Sequence, residues 1–238
     1  MSHAFSPPDR LDGQTVVITG GTGAIAGAAA MRLAHLGARI VLLHRGGPEK
    51  SAALLQSLPG TGHGAVSASV THSHELSAAA QQVQQAFGGA QILINCAGHT
   101  QPVPASDLEG LTDALIDEMF ASNWRGTFAA IRAFAPQLAA SGDGLIVNIS
   151  SIAGSTGLGS NLAYAASKAG IDALTKGLAT TLAPKVRVLA VSPGVVDSGF
   201  VSGRDASFNT KVGATIPLQR VGTADDVAAA INACSTSL

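Results

Sequence analysis

The sequence predicts an α/β protein in three layers, a doubly wound parallel sheet of at least six strands with helices on both faces. Short Val/Ile-rich runs alternate with Ala/Leu-rich stretches of helical length, the pattern of repeated βαβ units. The runs are almost continuously apolar or small, as strands covered on both faces must be. A Gly-rich turn joins the first run to the first helical stretch.

Strands are read at Thr15–Thr19, Arg39–Leu43, Ala65–Ser69, Gln91–Ile94, Leu145–Ile149 and Val186–Val191. Helices fall between them at Ala24–Leu36, Pro48–Leu58, Ser73–Phe87, Thr112–Ala140 and Ala163–Leu182. The long fourth helix should bend or break near Pro136, whose ring removes a backbone donor, and Pro184 stops the fifth. Thr223 with Asp226 forms a capping-box pattern for a last helix, Ala224–Ser235. No linker composition or fixed-period repeat interrupts the chain, so residues 1–238 are read as one domain.

Composition narrows the function. The formal charge of −1, without Lys/Arg clusters, gives no electrostatic basis for binding nucleic acid or an anionic membrane. No apolar run reaches membrane-spanning length, and residues 1–12 are polar and Pro-containing without a basic-then-apolar leader, which points to the cytoplasm. Cys96 and Cys234 fit neither a CxxC motif nor a disulfide framework, and no metal-ligand cluster stands out around His72 and His74. With 46% apolar and only 12% charged residues, part of the surface should be covered by other subunits.

The first strand runs into Thr19-Gly20-Gly21-Thr22-Gly23-Ala24-Ile25-Ala26, in which Gly21, Gly23 and Ala26 fit G-x-G-x-x-G/A. Glycines let the backbone approach a pyrophosphate, and the free N–H groups at a helix start attract negative charge. At the end of the second strand, an acid would accept from the ribose hydroxyls of NAD(H). The chain carries His44-Arg45 instead, and a guanidinium suits a 2′-phosphate, so NADP(H) is favoured over NAD(H).

Further motifs follow in order: Asn95-Cys96-Ala97-Gly98, Asn123 with Gly126, Asn148-Ile149-Ser150-Ser151, Tyr164-Ala165-Ala166-Ser167-Lys168, and Pro193-Gly194 with Ser198. Together with the Gly-rich turn they resemble the short-chain dehydrogenase/reductase family, in the single-domain branch that includes the 3-oxoacyl-carrier-protein reductases. The resemblance covers nearly the whole chain. It implies a Rossmann-type sheet in the order 3-2-1-4-5-6, with a seventh strand and tail that this chain, ending at Leu238, lacks. It implies NAD(P)-dependent carbonyl–alcohol chemistry on a small molecule, a substrate lid over Asp197 to Arg220, and homotetramers or homodimers built through helices 112–140 and 163–182.

The resemblance further implies a cofactor lined by Thr19 to Ile25, His44, Arg45, Ser69, Val70, Asn95, Ala97, Gly98, Tyr164, Lys168, Pro193, Gly194, Val196 and Ser198. Ser69 stands where the family usually has an Asp on the adenine, which weakens that contact. The catalytic set becomes Asn123, Ser151, Tyr164 and Lys168. Tyr164 and Lys168 are i and i+4 on one helix, so the ammonium should lower the phenol toward neutrality and let it donate a proton. Ser151 would stabilise charge on the substrate oxygen, its choice over Ser150 resting on its spacing of thirteen residues from Tyr164. Lys168 would also bind the nicotinamide ribose, and Asn123 would hold a water in a proton relay. A cofactor-binding regulator without turnover is the competing reading, disfavoured because it needs no proton donor.

Overall fold

Thr15–Thr19 forms strand β1, buried on both faces, and leads through the Gly-rich turn into helix α1 (Ala24–His35). Strand β2 (Arg39–His44), helix α2 (Glu49–Ser57), strand β3 (Gly64–Ser67), helix α3 (Ser73–Phe87) and strand β4 (Ile92–Asn95) complete the first half. Helix α4 (Asp113–Met119), a π-helical segment (Phe120–Arg125) and helix α5 (Gly126–Ser141) then lead to strand β5 (Gly144–Ile149). A single turn, α6 (Ala153–Thr156), precedes helix α7 (Leu162–Leu182) and strand β6 (Val186–Val191). Strand β7 (Val196–Asp197), helix α8 (Ala206–Gly213), strand β8 (Gly222–Thr223) and helix α9 (Ala224–Ser235) close the chain. This architecture comes from a computed structural model that describes residues 10–235; most of the polar N-terminal stretch read in the sequence lies outside them.

The six long strands form one parallel sheet in the order β3-β2-β1-β4-β5-β6. Side chains alternate across it, so each strand feeds two cores. Val16, Ile18, Ile40 and Leu42 meet Ala29, Ala30 and Leu33 of α1 and Val227 and Ile231 of α9. Val17, Val41, Leu43 and Leu93 meet Leu76 and Val83 of α3 and Ile131 and Phe134 of α5. Small residues on α1 let it lie close to the sheet, which fixes the height of its first turn over the end of β1.

Two expectations are corrected. The helix read over Thr112–Ala140 is broken at Phe120–Arg125, where the Gly126 N–H reaches back five residues to Ala121 O, whereas α5 continues through Pro136. The break is held by tertiary bonds. Asn123 is fully buried, accepts from the His99 N–H at 2.7 Å, and donates to His99 O at 3.0 Å and Ser167 Oγ at 3.1 Å. The second correction is a two-stranded parallel sheet, β7–β8, absent from the sequence reading. It ties the start of the 197–220 segment to its end just before α9, which begins with the reciprocal Thr223–Asp226 capping bonds.

Candidate active site

The strand order reverses between β1 and β4, and a cavity of about 350 Å³ opens beyond the carboxyl ends of β1, β4, β5 and β6. Its floor at one end is Gly23, Ala24 and Ile25; Tyr164 and Lys168 lie along its length, with Pro193, Gly194, Val196 and Ser198 on another wall. Ile152, Leu158, Phe200 and Val201 supply apolar lining, and Arg204 reaches in from the segment before α8.

The Gly-rich turn is shaped by close packing. Gly20 has φ +68°, and a Cβ there would stand 2.8 Å from Ala97 Cα; one on Gly21 would stand 2.6 Å from Leu42 Cβ. The Gly21 N–H donates to Leu43 O at 3.0 Å, pinning the turn to β2. Gly23 is the N-cap of α1 and no side chain caps that helix, leaving its first-turn N–H groups facing the cavity for an anion. This opening, floored by small residues, fits a pyrophosphate.

Several predicted cofactor residues lie off the cavity lining. Thr19 is buried, and its Oγ1 accepts from the Cys96 and Ala97 N–H groups at 3.1 Å each, so it clips β1 to β4. Asn95 is likewise buried, its Nδ2 on Asn148 Oδ1 at 2.9 Å, while its own Oδ1 has no partner. His44 is 5% exposed with Nε2 3.0 Å from Ser51 Oγ and Nδ1 3.3 Å from Arg45 O, which leaves little of it to offer a ligand. The Ser69 hydroxyl is 2.8 Å from Thr71 Oγ1, and Val70 packs against Gly126. Arg45 is exposed beyond β2, as is Thr22 in the turn.

Tyr164 owes its position to a helix cap that the sequence reading missed. Asn161 Oδ1 accepts from the Tyr164 N–H at 2.6 Å, and Asn161 Nδ2 donates to Gln101 O at 2.7 Å, so α7 starts pinned to the loop after β4. One turn later Lys168 is 5% exposed; its Nζ donates to Ile149 O at 2.7 Å and lies 5.7 Å from the Tyr164 ring centroid. Burial lowers the Lys168 pKa to about 8.

The expectation that Lys168 lowers the phenol is overturned in the protein alone. Burial pushes Tyr164 above its ordinary value, and what acts the other way is hydrogen bonding with the adjacent Ser151 hydroxyl and the charge of Arg204. The ammonium is drawn to the β5 carbonyl and stands over the ring rather than at the hydroxyl. Ser151 and Ser150 are now distinguishable, since the Ser150 hydroxyl donates to Lys168 O at 3.2 Å while Ser151 lies beside Tyr164. Cys96 also lines the cavity, but burial pushes its thiol up to about 12, so it stays protonated. Asn123 is not on the lining. Arg204 was missed as well, since nothing in its local sequence marks it.

A parallel α/β sheet with an open helix N-terminus at its switch point, and a Ser–Tyr–Lys group in the same cleft, defines an NAD(P)-dependent oxidoreductase acting on carbonyl or CH–OH groups. The chain belongs to the short chain dehydrogenase family, whose family model matches residues 14–207. It is 34% identical over 225 residues to a Streptomyces violaceoruber protein assigned as ketoacyl reductase 2 of the granaticin polyketide synthase, covering 94% of this chain and 90% of the relative. It is 29% identical over 218 residues to the 3-oxoacyl-[acyl-carrier-protein] reductase FabG of Staphylococcus aureus, covering 90% and 87%. Among solved structures, a glucose/ribitol dehydrogenase-type member from Brucella melitensis superposes with a TM-score of 0.88 at 26% identity, over 97% of this chain and 92% of that one.

Proposed function

We propose that this protein interconverts a small-molecule carbonyl and a secondary alcohol with Tyr164 as general acid/base, using NADP(H) in preference to NAD(H). The observation that carries the reading is the placement of Tyr164 in the cavity, beside Ser151 and one turn before the buried Lys168. Residues 1–238 act as one cytoplasmic catalytic domain with a lid over 197–220, and its copies assemble through the helices spanning 112–140 and 163–182. No helix among the described residues is long and apolar enough to cross a membrane.

The nicotinamide, when bound, supplies or accepts the hydride at the carbon that carries the oxygen. The first turn of α1 would hold its pyrophosphate, Lys168 its ribose, and Pro193, Gly194, Val196 and Ser198 its ring. The substrate oxygen takes a hydrogen bond from the Ser151 hydroxyl and a proton from the Tyr164 phenol. Tyr164 is protonated near neutrality, the form from which a proton can be given in the reducing direction, although burial makes it a weaker acid until the phenolate is favoured. The Lys168 ammonium, once a ligand draws it from Ile149 O, favours the phenolate that forms. Asn123 accepts from the His99 N–H and donates both amide hydrogens to His99 O and Ser167 Oγ, so it holds the His99 loop against Ser167 of α7. Tyr164→Phe is expected to abolish turnover while cofactor titration stays close to wild type; near-normal turnover would sink the mechanism.

The cofactor preference rests on Arg45, exposed beyond β2 with no ion pair among the described residues, and on Lys50, whose Nζ stands 2.9 Å from where a Cβ on Gly46 would lie. Arg45→Ala should raise the KM for NADPH at least tenfold more than that for NADH, the value of about one charge-assisted phosphate contact. Equal rises would refute the preference. A panel of ketones, 3-oxoacyl thioesters and secondary alcohols, assayed with both cofactors, tests the reaction class. Tight cofactor binding without any turnover would favour the regulator.

A further inference from the structure

The substrate end of the cavity contains a cation that the proton-transfer machinery does not use. Arg204 lines the cavity with Phe200, Val201 and Leu158, and its guanidinium carbon sits 4.7 Å from the centroid of the Phe208 ring. That stacking holds a long side chain in one place and leaves its N–H edge free. Arg204 has no hydrogen bond or ion pair among the described residues, although it is only partly exposed. The neighbouring Asp205 forms no ion pair with it and turns its Oδ1 to the Ser207 hydroxyl at 2.7 Å and the Phe208 N–H at 3.0 Å. No Asp or Glu lines the cavity, and of its two cations Lys168 is already bound to Ile149 O.

A half-buried guanidinium without a counter-ion is costly, and burial lowers its pKa accordingly. Arg204 and Tyr164 line the same cavity of about 350 Å³, so the two groups face one small volume. We propose that Arg204 binds a carboxylate carried by the substrate within a few bonds of the reacting carbonyl, so that the preferred substrates are short oxo acids and the corresponding hydroxy acids. One unpaired guanidinium matches one negative charge, and its planar edge fits a carboxylate in two-point contact. The apolar remainder formed by Ile152, Leu158 and Phe200 takes the carbon chain. This assignment rests on the carbonyl reductase reading above.

The test uses five-carbon oxo acids with the ketone at position 2, 3 or 4, each beside its methyl ester, with NADPH. Wild type should prefer at least one acid over its ester by tenfold or more in kcat/KM. Arg204→Gln should reduce that acid-to-ester ratio about 10- to 100-fold, the worth of a hydrogen-bonded charge pair, and Arg204→Lys should restore part of it. An ester preferred over every acid, or an unchanged ratio in Arg204→Gln, overturns the proposal. So does loss of NADPH affinity in Arg204→Gln with the ratio intact, which would give the guanidinium to the cofactor. A second readout needs no turnover: saturation-transfer NMR of pentanoate and pentanamide with the NADPH-loaded protein. Arg204-dependent binding of pentanoate alone supports the anion site even where no ketone is reduced, a result that would sink the reductase reading by itself. Equal signals from both probes in both proteins overturn the site.

Discussion

Lys168 shows how a buried lysine burdens the fold that holds it. Its pKa falls from 10.5 to about 8 because burial disfavours the ammonium. Below pH 8 the folded and unfolded chains are both charged at this position, and the burial penalty is fully present. Between pH 8 and 10 the folded chain gives up the proton while the unfolded chain keeps it, so the unfolded state binds more protons and stability rises with pH. Tyr164, shifted upward, acts in the opposite sense only above about pH 10. Relative to Lys168→Met, wild type without cofactor should therefore gain about 2 kcal/mol between pH 8 and 10 in urea unfolding. A gap that stays constant across that window would show that Lys168 carries no such penalty. Tyr164 and Lys168 were legible as a pair because i and i+4 on a helix fix a shared face, whereas Ser151 was placed beside them by the family resemblance. The direction of the phenol's shift was not legible, since it depends on how much solvent the walls remove and on a carbonyl of β5 that competes for the ammonium.

Elements of the site differ in how much of their geometry is local. The α1 start and the α9 capping box were readable because short-range chemistry builds both. The π segment was not, since Asn123 is held by partners 24 and 44 residues away while Pro136 supplied a stronger local signal for a break elsewhere. The joint of α6 and α7 is another long-range feature. A Cβ on Gly154 would lie 2.7 Å from Ala169 N and 2.8 Å from Lys168 C, so two backbones meet there with no room to give. Gly154→Ala must push α6 off α7 and carry Ser151, three residues earlier, away from Tyr164. The expected result is a loss of about 1 to 3 kcal/mol in stability and a fall in kcat of tenfold or more, with cofactor affinity changed much less. Wild-type kcat with the same loss of stability would mean that Ser151 does not depend on this contact.

On the scale of the whole molecule, burial on both faces is why alternating apolar runs revealed the six parallel strands, whereas their order came from the family resemblance and is the one the sheet adopts. The β7–β8 pair escaped because two-residue strands carry no periodicity, yet it anchors the segment that presents Arg204. The outer face of α7 bears on assembly. Ala166, Ala169, Ala173 and Gly177 are exposed along one side of it, and Trp124 and Phe128, stacked at 5.9 Å, are only half-buried where the π segment runs into α5. Small side chains permit close helix contact and half-covered aromatics favour a partner, so both faces suit the interface proposed for these helices. A stripe this small tolerates no long charged group once another helix lies on it. Ala173→Arg is expected to shift the protein from a dimer or tetramer to the mass of a single chain in light scattering, with an unchanged far-ultraviolet circular dichroism spectrum, because at an exposed position the isolated fold accommodates the new side chain. A wild type that already runs as a single chain, or an arginine variant that keeps its assembly, would remove α7 from the interface.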